Sequence, residues 1–223
     1  MNEVPQTYSE MVKALAKEGE AIISDMTPLS AHLLHMALGV AGEAAEITEH
    51  LFAVAVHNLP FDRVHFVKEL GDMEFFLEGL VQRQSVAPID EWAVLPEDPA
   101  FKDLPEDIYG MEMMNATTAL LQIHSGRLLD HVKKFALYCQ DLNLLEYSRA
   151  IYWVRRDLGV IRDANKITHD ECLEENMKKL AARYGKTFSN KAAQVRADEI
   201  PLSASSEIAE ATRAAEVSGS AAT

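Results

Sequence analysis

Four carboxylates stand as two pairs at helical spacing, Glu43 with Glu46 and Glu69 with Asp72. Residues three apart on a helix share a face, with Cβ atoms about 5–6 Å apart. Each pair can therefore offer both acids to one small volume, and two antiparallel helices can offer all four. A solitary Glu-x-x-Glu is ordinarily a solvated face. Here Glu69 and Asp72 run along a stripe with Phe66 and Phe76, and Gly39, Ala41, Gly42 and Ala45 flank the first pair, which turns the acids toward a neighbouring helix. Buried carboxylates without a counter-charge are costly, so the pattern calls for a cation. All-oxygen ligation suits a hard ion, Mg²⁺ first and Mn²⁺ as its substitute, because no thiolate or imidazole set stands at ligand spacing. His50, four residues after Glu46, reads either as a partner of a ligand or as an ordinary rim residue. His32, His35, His57, His65, His124, His131 and His169 form no ligand set. Cys139 and Cys172 lack a CxxC partner and read as free buried thiols.

Helices must position these acids, and their punctuation is written in the chain. Thr7 and Glu10 have capping-box spacing and open a helix to about Ser24. Thr27-Pro28 supplies an N-cap followed by proline at the first helical position, starting a helix to about Val56. Asn58-Leu59-Pro60 turns the chain. A helix from about Phe61 to Arg83 then carries Phe66, Leu70, Met73, Leu77 and Leu80 at helical spacing. Helical periodicity resumes from Gly110 to about Gln140. Asn143-x-x-Glu146 opens another helix, and Thr168-x-x-Glu171 caps one ending at Arg183-Tyr184-Gly185, where glycine permits a left-handed turn. Strand patterns are missing, so the chain reads as all-α. The chain is expected to divide into a metal-binding helical half at 1–84, an acidic Pro-rich connector at 85–109, a second helical half of the same domain at 110–198, and a disordered tail at 199–223. A faint internal echo sets Gly42-Glu43-Ala44-Ala45-Glu46 and Glu69-Leu70-Gly71-Asp72 against Gly126-Arg127-Leu128-Leu129-Asp130 and Asp157-Leu158-Gly159-Val160. As a duplication, it means two pseudo-symmetric helical hairpins in one chain, the second having lost acids at Arg127 and Val160.

The net charge of −14 is unevenly placed. Residues 1–110 hold 20 acids and 6 bases, whereas residues 111–223 hold 15 of each. Such a balance argues against stable nucleic-acid binding, which needs a basic face. No apolar run has membrane-span length, and the N-terminus lacks the basic and apolar regions of a signal peptide, so the expected location is cytoplasmic, with no membrane partner.

The stretches GVAGEAAEITEH at 39–50, KELGDMEFF at 68–76 and NMKKLAARYGKTFSNKAAQVR at 176–196 resemble the all-α nucleoside triphosphate pyrophosphohydrolases, the MazG-like superfamily that includes phosphoribosyl-ATP pyrophosphohydrolase. The resemblance covers about 30–83 and 168–196. It implies a MazG-like helical bundle that cleaves a (d)NTP between the α and β phosphates, giving the monophosphate and pyrophosphate. It further implies that Glu43, Glu46, Glu69 and Asp72 hold Mg²⁺ and carry the catalysis, one of them as general base, and that Asn176, Lys179 and Arg183 contact phosphate or sugar. Lysines common in the family after the first acidic pair are replaced here by Thr48-Glu49-His50, and Lys133 and Lys134 hold that place only in the second copy, which makes them substrate-binding candidates. Phe76 replaces the usual polar group, and Gly185 replaces a common proline. Trp92 and Trp153 could stack on a base but are more often packing residues. Related proteins are commonly dimers or tetramers, so a homodimer or homotetramer is implied. The alternative is a non-catalytic helical nucleotide- or metal-binding regulatory module. A ferritin-like di-iron protein needs Glu-x-x-His pairs, which are missing.

Overall fold

Capping residues set the helix boundaries in the computed structural model, which describes residues 7–84, 111–185 and 187–195. The helices are α1 (Tyr8–Leu15), α2 (Gly19–Asp25), α3 (Pro28–His57), α4 (Arg63–Arg83), α5 (Met111–Tyr138), α6 (Leu144–Ala164), α7 (His169–Tyr184) and α8 (Asn190–Val195). There is no strand among the described residues, and the fold is an all-α bundle. No described helix is long and apolar enough to cross a membrane.

Thr7 and Thr27 each accept a hydrogen bond from the backbone N–H three residues on, and both form reciprocal capping boxes, with Glu10 and Ser30. Asp62 and Asn143 cap α4 and α6 by accepting from the backbone N–H of His65 and Glu146, without the reciprocal bond. Asn58 takes the left-handed conformation that ends α3, at φ 52°, a position asparagine tolerates better than most residues. Gly185 does the same after α7, at φ 65°. The single helix expected from Thr7 to Ser24 is instead two. Ala16 and Glu18 are extended, and Lys17 between them pairs with Asp25 at 2.7 Å and donates to the Leu137 carbonyl of α5. Neither α1 nor α2 buries a residue, so no apolar face holds the helix continuous against that tether.

The chain forms two compact units, Met1–His169 and Asp170–Thr223. The first holds the two helical hairpins, α3–α4 and α5–α6. Antiparallel packing of α4 on α3 is fixed by His32 Nε2 against the Gly79 carbonyl at 3.0 Å near one end, and by His50 against Phe61 and Phe66 near the other. α5 packs antiparallel on α3, where Gln122 donates to the Ala44 carbonyl at 2.5 Å and to Thr48 Oγ1 at 2.6 Å. α4 and α6 are joined by Tyr147 Oη donating to the Leu80 carbonyl at 3.2 Å and by Arg162 on Glu74 at 2.6 Å. The two hairpins meet chiefly through α3 and α5. Leu33, Val40, Ile47, Phe66, Leu70, Leu77, Leu80, Leu121, Leu128, Val154 and Leu158 are wholly buried between them. The second unit carries α7 beyond its first residue and α8. The connector at 85–109, with Trp92, and the tail at 199–223 lie outside the described residues.

Two glycines on α3 have opposite roles. A Cβ at Gly39 would overlap the Phe76 ring of α4, so its absence lets the helices close on each other, while a Cβ at Gly42 would meet nothing within 4 Å. Gly39→Ala should destabilise the protein by about 1–3 kcal/mol through overpacking. Gly42→Ala should stabilise it by about 0.5–1 kcal/mol, by removing an unneeded mid-helix glycine. Urea unfolding of the two variants checks both signs.

Candidate metal centre

Close approach of α3 and α4 brings Glu43 of α3 against Glu69 and Asp72 of α4. One ligand atom from each of the three lies within 4.8 Å of the others. Glu69 is buried, and Glu43 and Asp72 are partly buried. Glu43 Oε2 is shielded from solvent and has no hydrogen-bond partner. Burial, followed by the negative charges of Asp72 and Glu46 and by a hydrogen bond with Glu69 and its charge, pushes the Glu43 carboxyl up to about 8. Its acidic neighbours oppose its ionisation, and a divalent cation would reverse that penalty. The donors are all carboxylate oxygens, which fits a hard ion and does not select among them.

Glu46, the fourth expected ligand, is exposed on α3 and stands outside this group of three, although its charge still acts on Glu43. His65, one turn before Glu69, places Nδ1 3.1 Å from Glu69 Oε1. His50 belongs to an aromatic cluster, with ring centroids 5.0 Å from Phe66, 5.2 Å from Phe61 and 5.8 Å from His65. Burial and the neighbouring His65 hold His50 below the usual histidine range.

Lys133 and Lys134 both bind Asp130 on their own helix, at 2.7 and 2.6 Å, and hold its carboxyl down to about 2. The Gln122–Ala44 register puts them roughly ten residues along α5 from the level of Glu43, about 15 Å at 1.5 Å per residue. Asn176, Lys179 and Arg183 lie on one face of α7 in the second unit, Asn176 buried and the other two partly exposed. Cys172 is buried and free, and Cys139 is free but exposed, contrary to the expectation of two buried thiols.

In the second hairpin, the two acids of the sequence echo are paired within the hairpin. Asp157, in the position echoing Glu69, bonds His124 Nδ1 at 2.6 Å, and both residues are about 1% exposed. Trp153 stacks on His124 and carries Arg156 over its ring, so it is engaged within the hairpin. Asp130, echoing Glu46, is held by the two lysines. Sequence reasoning missed His65, although its i, i+4 relation to Glu69 was a usable signal. It also missed buried Glu74, which pairs with Arg162 and lies 3.5 Å from His169 Nε2. An acid inside the apolar stripe of α4 signals a cation on a neighbouring element, but no local spacing points to residue 162.

Comparison with protein-family models, curated proteins and solved structures returned no match for this chain.

A folded carboxyl near 8, against 4.5 for the ordinary group, keeps its proton where the unfolded chain has lost it. The folded state then binds more protons, and stability falls as pH rises from about 4.5 to about 8. In metal-free buffer, Glu43→Gln should therefore gain stability relative to the original protein as pH is raised across this window. Paired urea titrations at pH 5 and pH 8 measure the difference, and a pH-independent difference would contradict the assignment.

Proposed function

We propose that this chain is a Mg²⁺-dependent nucleoside triphosphate pyrophosphohydrolase of MazG-like type, releasing pyrophosphate and a (d)NMP. The observation that carries the reading is the three-carboxylate group of Glu43, Glu69 and Asp72 with the unpartnered, shielded Oε2 of Glu43. The order of the acid pairs and the downstream Asn176-x-x-Lys179-Leu180-x-x-Arg183 segment supports it through the resemblance. Glu43, Glu69 and Asp72 would hold the ion, with Glu46 closing the group from its exposed position on α3. Bound Mg²⁺ would supply charge neutralisation at the phosphates and an acidified water as nucleophile. A carboxylate of the group not consumed by ligation would accept that water's proton. Asn176, Lys179 and Arg183 would meet phosphate or sugar, and Lys133 and Lys134 would serve the polyphosphate if released from Asp130. A homo-oligomer, dimer or tetramer, belongs to the same reading.

Purified protein should release pyrophosphate from at least one of the eight common NTPs and dNTPs with Mg²⁺ or Mn²⁺, and lose the activity in EDTA. Glu43→Gln, Glu69→Gln and Asp72→Asn should each lower kcat on the order of a hundredfold or more, and Glu46→Gln should have a smaller effect. Metal and nucleotide binding without turnover of any of the eight would leave a regulatory module in place of the enzyme.

A further inference from the structure

The carboxylate group is held by more than helix packing. His65 and Glu69 are four residues apart on α4 and therefore on the same face, one turn apart. Nδ1 of His65 lies 3.1 Å from Glu69 Oε1, while the two side chains differ sharply in exposure, 54% for His65 and 8% for Glu69. The contact occupies one oxygen of a buried carboxylate with a donor reaching in from the surface. A glutamate on a helix has several torsions through which its carboxylate can swing. A donor fixed on one oxygen restricts that swing and orients the other. The half-exposed imidazole has one ring neighbour among the described residues, His50 at 5.8 Å, which in turn packs on Phe61 and Phe66. A ligand carboxylate oriented by a hydrogen bond from outside the ligand set binds metal more tightly than a free one, typically by about 10- to 100-fold.

We propose that His65 is a positioning residue of the metal site, donating from Nδ1 to Glu69 Oε1 so that the Glu69 carboxylate is set for the cation before the cation arrives. This rests on the reading of Glu43, Glu69 and Asp72 as metal ligands. His65 touches neither metal nor substrate in this role, and its contribution is the δ-position donor rather than the ring.

The variants separate donor from ring. His65→Asn keeps an N–H donor at the δ position and loses the ring, whereas His65→Phe keeps a ring of similar size and loses the donor. Mn²⁺ binding to the full chain, read from the decline of the free-ion signal in electron paramagnetic resonance, measures the metal alone without turnover. His65→Asn should bind Mn²⁺ within a few-fold of the original protein, and His65→Phe about 10- to 100-fold more weakly. Thermal unfolding of both should stay near that of the original, since residue 65 is exposed. Equal affinity of His65→Phe and the original protein would overturn the inference, as would an affinity of His65→Asn as low as that of His65→Phe. Failure of the original protein to bind Mn²⁺ would remove the metal-site reading itself, an outcome distinct from either.

Discussion

Like-charge repulsion among Glu43, Glu69 and Asp72 is the constraint around which the first hairpin is built. Three ionised carboxylates within 4.8 Å of one another repel by roughly 3–4 kcal/mol per pair at an effective dielectric of about 20. That is comparable to the whole contribution of a large buried apolar side chain. The apolar residues of α3 and α4 continue on both sides of the acids, with Met36, Val40 and Ile47 on one helix and Leu70, Met73 and Leu77 on the other, so the helices cannot separate to relieve the repulsion without exposing the core. Gly39 tightens the approach one turn before Glu43 by admitting the Phe76 ring. What yields is ionisation, and Glu43 retains a proton toward pH 8. A proton and a divalent cation are alternative solutions to the same electrostatic problem.

In the second hairpin the acids are paired with side chains of the same hairpin. Asp157 is matched by His124 in the interior, and Asp130 by Lys133 and Lys134 near the surface. Between the hairpins, Glu74 is matched by Arg162. Each of these acids has a partner within hydrogen-bonding distance, whereas burial among like charges pushes the Glu43 carboxyl up to about 8. The contrast follows the charge distribution of the chain, whose acidic excess lies entirely before residue 111.

Much of this was legible in the sequence because it is local. Thr27-Pro28, Asn143 and Gly185 mark boundaries through hydrogen bonds or dihedral angles that depend on a few neighbouring residues, and the stripe of Phe66, Leu70, Met73, Leu77 and Leu80 is buried as its spacing requires. The i, i+3 rule identified Glu69 and Asp72 as a pair because one helix carries both. It could not distinguish Glu43 from Glu46, since which of two acids faces a neighbour depends on the angle at which α4 lies against α3. The break at Ala16–Glu18 was hidden for a similar reason, because Lys17 is anchored at Leu137, far along the chain. Partnerships such as His124–Asp157 and Glu74–Arg162 exist only once the hairpins are folded and packed.

If a cation replaces the proton on Glu43, binding and proton release must be linked. Calorimetric titration of the metal-free protein with MgCl₂ at pH 7, repeated in buffers of different ionisation enthalpy, counts the protons displaced. The account predicts release of about one proton per ion bound, since a carboxyl near 8 is mostly protonated at pH 7, and none from Glu43→Gln. Mg²⁺ binding with no proton release from the original protein would contradict it.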